Sequence, residues 1–203
     1  MNDDEIFAAI ADERRTLADQ VSTLTDEQWA TPSLCVEWTC RDVLAHLVVP
    51  LVVSIPAFGW AMIKARGNFD RANLITTADV AKRHDDLPKI LRDKANKRFT
   101  PPGYGPAAPL TDIVIHGLDI RRPLGLSAGF APDIARVVLD FVTDKGGAPI
   151  VKRARVRWSA TDLDWSHGDG PTVEGPAESL MLVLSGRDAG LPELRGDGVA
   201  HLG

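Results

Sequence analysis

The sequence predicts a mainly α protein, with a helical domain over residues 1–145 and a small α/β domain over 146–203. Three observations carry that expectation. Apolar residues recur at helical spacings through most of the first 145 positions. Capping residues and Gly or Pro breakers punctuate these stretches. After Gly146-Gly147 the apolar period drops to two, the signature of half-buried strands.

Taken in order, the first helix is expected over Asp4–Leu24, where Ile6, Ile10, Leu17 and Val21 form one stripe. Thr25 followed by Gln28 is a capping-box pattern and opens a short helical turn. Pro32 and residues 33–37 read as a loop. Thr39 caps the next helix, with Asp42 near its start, where a carboxylate suits the helix dipole. Val43, Leu44, Leu47 and Val48 give that helix its apolar side, and Pro50 should end or kink it. A further helical run reaches about Arg66, where Gly67-Asn68 breaks it. A long charged helix is expected from Thr77 or Asp79 to about Lys97, and Pro88 argues for a kink or for two shorter helices. Residues 101–109 read as a loop, Leu110–Arg121 as a helix ended by Pro123-Leu124-Gly125, and Pro132–Val142 as another. In the tail, Val151–Trp158 alternates basic and apolar residues and is expected to be a strand. Asp164-Trp165-Ser166 and Thr172-Val173-Glu174 are two more, and Glu178–Leu184 is a helix.

Composition narrows the function classes. A 44% apolar content supports a real core in a chain of 203 residues. A net charge of −5 gives no basic face for nucleic acid. The most apolar stretch, Leu47–Ile55, is far too short to span a bilayer, and Pro50 and Ser54 interrupt it. With two cysteines, Cys35 and Cys40, and an acidic N-terminus lacking a signal-peptide pattern, the expected location is the cytoplasm.

The chemistry-bearing residues sit on two helical segments. Asp112 and His116 are four apart, so a helix points both to one side. One histidine from a second helix would complete a three-ligand metal site with open positions, the kind that serves chemistry rather than structure. His46 is the main candidate, and His84 and His167 are alternatives. Asp119 can orient His116 or pair with Arg122, and the pairing with Arg122 is the favoured expectation. Trp38 and Trp158 read as packing residues. Cys35 is a candidate nucleophile with no base close in sequence. Arg153, Arg155 and Arg157 read as a solvated strand face or an anion site.

Three blocks give the chain a family resemblance. These are Leu24-Thr25-Asp26-Glu27-Gln28-Trp29, then Ser33 through Trp38-Thr39-Cys40-Arg41-Asp42 to His46-Leu47, then Asp112 through His116-Gly117-Leu118-Asp119-Ile120. With Asp164-Trp165, Gly175-Pro176-Ala177 and Ser185-Gly186-Arg187 in the tail, the sequence resembles the mycothiol-dependent maleylpyruvate isomerase family of DinB/YfiT-like metalloenzymes. The resemblance implies a DinB-like four-helix bundle with a small C-terminal α/β domain. It implies a divalent metal, zinc before nickel, iron or manganese, on His46, Asp112 and His116. In the isomerase the acidic ligand is glutamate, one methylene longer than Asp112. The resemblance also implies mycothiol as thiol cosubstrate, with a metal-bound thiolate acting on a small electrophilic, carboxylated substrate by isomerisation or S-transfer. Arg187 is the expected anion-binding catalytic residue. No nucleic-acid or membrane partner is expected, and the chain is expected as a monomer or homodimer. The alternative is a non-enzymatic metal-binding sensor or regulatory protein.

Overall fold

The computed structural model describes residues 1–202. Ten α-helices and three short strands account for the regular structure among them. Two compact units divide the chain: residues 7–99 with 116–127, and residues 1–6, 100–115 and 128–203.

The first unit is helical. Helix α1 (Asp3–Val21) opens with Asp3, Asp4 and Glu5, which suit the positive end of its dipole. It buries Ile10, Leu17, Ala18 and Val21. Helix α2 (Asp26–Trp29) is a single turn held by the Thr25–Gln28 capping box. Helix α3 (Cys40–Val52) is central: Cys40, Val43, Leu44, Ala45, Leu47, Val48, Val49 and Leu51 are all buried. A helix apolar on most sides has to be covered on most sides, and α3 packs against α5 (Phe69–Arg83) and α6 (Leu87–Asp93).

Thr39 closes a full capping box on α3: its hydroxyl accepts from the Asp42 N–H, and the Asp42 carboxylate accepts from the Thr39 N–H at 3.0 Å. Pro50 lies inside α3 and brings no N–H to the turn that opens at the His46 carbonyl; the helix ends two residues later. Helix α4 (Ile55–Lys64) follows from the Ser54 cap and packs on α5.

The long helix expected from Thr77 or Asp79 to Lys97 is two helices, and the first starts earlier. Asn68 caps α5, its side-chain oxygen accepting from the Arg71 N–H at 2.8 Å. The buried stripe is Ala72, Thr76 and Val80. The Thr76 hydroxyl donates to the Ala72 and Asn73 carbonyls, so a polar residue occupies a core position and hides the apolar period. Pro88 sits in the first turn of α6, where its missing N–H costs nothing.

Helix α7 (Ala107–Arg121) is continuous across the boundary at residue 115. It starts three residues earlier than Leu110.

The second unit contains the sheet. Helix α8 (Pro132–Phe141) runs into a π turn over Val142–Gly146. The expected strand over Val151–Trp158 is corrected: Pro149–Arg153 is helix α9, and β1 is Arg157–Ala160. Proline in the first turn starts that helix, and the alternation belongs to the strand only at its end. β1 pairs antiparallel with β2 (Ser166–His167), Trp158 opposite His167, and parallel with β3 (Thr172–Gly175), Trp158 opposite Val173. The sheet order is β2-β1-β3. Gly168, at φ +82°, makes the turn after β2; a Cβ there would lie 2.6 Å from the Val156 carbonyl oxygen. Helix α10 (Ala177–Leu184) buries Leu180 through Leu184 in an unbroken run against α8 and the sheet.

Candidate metal centre

Two helices supply the candidate centre. Helix α3 carries His46 on its second turn. Helix α7 carries Asp112 and His116 one turn apart. The imidazoles of His46 and His116 meet edge to face, centroids 4.7 Å apart. One donor atom from each of His46, Asp112 and His116 lies within 4.8 Å of the other two, and all three residues are partly exposed. Three nitrogen and oxygen donors at that spacing suit a divalent ion with positions left open for water or a substrate atom.

A carboxylate stands beside the His116 ring. Its Nδ1 lies 2.9 Å from the Asp119 Oδ2, and Asp119 is fully buried. A carboxylate that accepts from an Nδ1–H leaves the ring's lone pair on Nε2. Asp119 thus stands where it can orient His116, one of the two roles its position allowed. The signal was the i,i+3 spacing, which serves either partner equally.

Trp38 is the residue that sequence reasoning missed, having been read as packing. Its ring lies 5.2 Å from the His46 centroid and 6.4 Å from that of His116. The chain reaches this position through Glu37, whose φ of 67° is unusual for a residue with a Cβ. Ser33 shapes the preceding loop: its hydroxyl accepts from the Cys35 N–H at 3.1 Å. The Leu34 N–H donates to the Asp119 carbonyl at 3.2 Å. This loop places a Cys35 donor atom within 4.8 Å of donors on both His116 and Asp119. Cys35 lacks a base close in sequence, but has one close in space.

Cys40 is different. It is fully buried. Burial pushes its thiol up to about 11, opposed by a backbone hydrogen bond and reinforced slightly by Asp119.

A buried ion pair anchors α7 to α1 just beyond His116. Arg121 is 1% exposed; its Nη1 donates to the Glu13 Oε1 at 2.5 Å and its Nε to the Gln20 Oε1 at 2.7 Å. The absent side chain of Gly117 makes room for that guanidinium, since a Cβ there would lie 2.8 Å from Arg121 Nη1. Burial pushes the Glu13 carboxyl above the ordinary carboxylate range; Arg121 draws it back but does not outweigh burial.

The remaining candidates belong to other elements. His84 ends α5, and its carbonyl accepts from Arg41 at 3.0 Å. His167 is on β2, stacked on Trp165. Arg153 donates to the Leu202 carbonyl and Arg157 to the Ser166 hydroxyl. Arg187 follows α10 and donates to the Ser185 carbonyl at 2.6 Å. A cleft of about 570 Å³ lined by Asp26, Trp29, Ala30, Thr39, Arg41 and Asp85 contains none of the three donors.

The fold and this donor cluster define a class: a mainly helical protein with a small three-stranded sheet and a His/His/Asp cluster on two helices. Comparison with known proteins adds what the chain is similar to. Residues 10–51, from α1 to the end of α3, match the mycothiol maleylpyruvate isomerase N-terminal domain. The chain is similar in fold to the crystal structure of the mycothiol-dependent maleylpyruvate isomerase, with a TM-score of 0.65 at 14% identity over 97% of this chain and 93% of that one. A histidine-to-alanine mutant of that isomerase matches with a TM-score of 0.54, at the same identity and coverage. No curated protein matches the chain in sequence. The chain thus resembles this isomerase family in sequence through its first helices and in fold over nearly its whole length. No helix among the described residues is long and apolar enough to cross a membrane.

Proposed function

We propose that this chain is a mycothiol-dependent metalloenzyme, an isomerase or S-transferase acting on a small electrophilic, carboxylated substrate. The observation that supports this most is the convergence of His46, Asp112 and His116, with Asp119 behind His116. It lies in a chain whose residues 10–51 match the mycothiol maleylpyruvate isomerase N-terminal domain.

His46, Asp112 and His116 are the proposed holders of a divalent ion, with zinc the first choice by donor type. Such an ion, when bound, lowers the pKa of a thiol at an open position, so that a nucleophile is available at neutral pH. The chain's own residues prepare the place. Asp119 holds the Nδ1 proton and so directs the Nε2 lone pair of His116 outward. Trp38 lies beside both imidazoles. Arg187 is the proposed partner of a substrate carboxylate. Because the thiol supplies the attacking sulfur, no protein nucleophile is needed. Addition of the thiol to a conjugated double bond, rotation and elimination give isomerisation; attack without elimination gives transfer.

The test is elemental analysis of untagged protein beside His46→Ala and His116→Ala, with mycothiol titrated into each. The expected result is about one metal per chain in the parent, lost in both variants, and thiol binding only to the loaded form. A parent that stays metal-free after reconstitution overturns the proposal. Metal without thiol binding transfers support to the second reading, a metal-binding sensor, which the position of Cys35 favours.

A further inference from the structure

His116 belongs to two donor groups. The first is the one just described. In the second, donor atoms of Cys35, His116 and Asp119 lie within 4.8 Å of one another. All three residues belong to one compact unit. They are drawn together by identifiable local structure: the Ser33–Cys35 turn, the Leu34 N–H on the Asp119 carbonyl, and the i,i+3 spacing on α7. Asp119 is fully buried, unlike the exposed carboxylates that cluster on surfaces without any ligand. Sulfur, imidazole nitrogen and carboxylate oxygen together form a softer donor set than two imidazoles and a carboxylate.

We propose that Cys35, His116 and Asp119 form a second, thiolate-bearing metal site that shares His116 with the first. A neutral imidazole has one lone pair. With the proton on Nδ1, facing Asp119, that pair is on Nε2 and serves His46 and Asp112. An ion bound between Cys35 and Asp119 takes the pair on Nδ1; the ring proton moves to Nε2, and the Cys35 thiol proton leaves to solvent. With a neutral ring the two sites therefore exclude each other. Loading the second withdraws His116 from the first and gives the protein a state selective for thiophilic ions. Cys40, buried and with its thiol raised to about 11, is not the sulfur involved.

The inference shares His116 with the proposed function but does not need His46 or Asp112. Cobalt(II) is the probe, because a thiolate ligand adds a near-ultraviolet charge-transfer band that nitrogen and oxygen ligands do not give. It is titrated into metal-free full-length protein carrying His46→Ala, Asp112→Asn, Cys35→Ser, and each of the first two combined with Cys35→Ser. The conservative Asp112→Asn guards against a fold defect in His46→Ala, and far-ultraviolet circular dichroism confirms helix content in each. Neither variant is expected to keep a metal through purification; with cobalt added in excess, we expect both His46→Ala and Asp112→Asn to bind it with the thiolate band. Adding Cys35→Ser should remove the band and weaken binding about tenfold or more. Absence of the band in both single variants, or its persistence after Cys35→Ser, overturns the inference. The Cys35→Ser protein alone should load through His46, Asp112 and His116. If it does not load while His46→Ala does, the proposed function fails and the second site stands.

Discussion

Arg121→Met tests whether the ion pair behind His116 holds α7 in place. Arg121 is 1% exposed and Glu13 8% exposed, so water screens neither charge. Removing the guanidinium leaves the buried Glu13 carboxylate without it and takes the partner from the Gln20 side chain. Two unit charges about 4 Å apart at an effective dielectric of about 20 attract by about 4 kcal/mol. Breaking one side of such a pair costs about 3–5 kcal/mol, and we expect that loss near neutral pH.

The loss should depend on pH in a defined sense. Burial holds the folded Glu13 carboxyl above its unfolded value. Its contribution to stability is therefore fully present below the unfolded pKa and is lost as pH rises through the folded one. Without Arg121, which lowers that folded value, the rise is larger and the loss extends to higher pH. The gap between parent and variant should be smaller at about pH 5 than at about pH 8. The assay is urea denaturation followed by circular dichroism at both pH values, with Glu13→Gln/Arg121→Met as a third protein. The double variant should recover much of the loss, because no uncompensated charge stays buried. A deficit under about 1 kcal/mol, a deficit equal at both pH values, or a double variant no better than the single one would refute this account.

Three further outcomes follow from the site and its supports. Asp119→Asn keeps the shape but removes the charge behind Nδ1, and should weaken zinc binding about 10–100-fold in a chelator competition; unchanged affinity would mean that Asp119 does not set the ring. Thr39→Ala removes one arm of the capping box on α3 and should cost about 1 kcal/mol, read by thermal melting. Iodoacetamide at about pH 8 should alkylate Cys35 well before Cys40, whose thiol is buried and raised to about 11; peptide mapping by mass spectrometry showing Cys40 modified first would contradict the burial described.

What the sequence determined by itself was local. The Thr25–Gln28 box, the Thr39 cap, the Pro88 break and the helix around His116 are written within a few residues, because capping and helical periodicity act over one or two turns. The spacing of Asp112 and His116 already puts both on one side of α7. Where a local pattern had two readings, the sequence went wrong. Thr76 and Thr77 masked the start of α5, and the basic–apolar alternation from Val151 hid a helix begun by Pro149. Everything that joins distant segments was decided by tertiary structure. The approach of His46 to His116, the Trp38 ring beside both, Cys35 next to Asp119, and Arg121 on Glu13 each depend on how α1, the 33–38 loop, α3 and α7 pack. Those contacts span tens of residues, and their geometry is set by which helix faces must leave water together. One segment's composition does not encode that condition, and only the folded chain satisfies it.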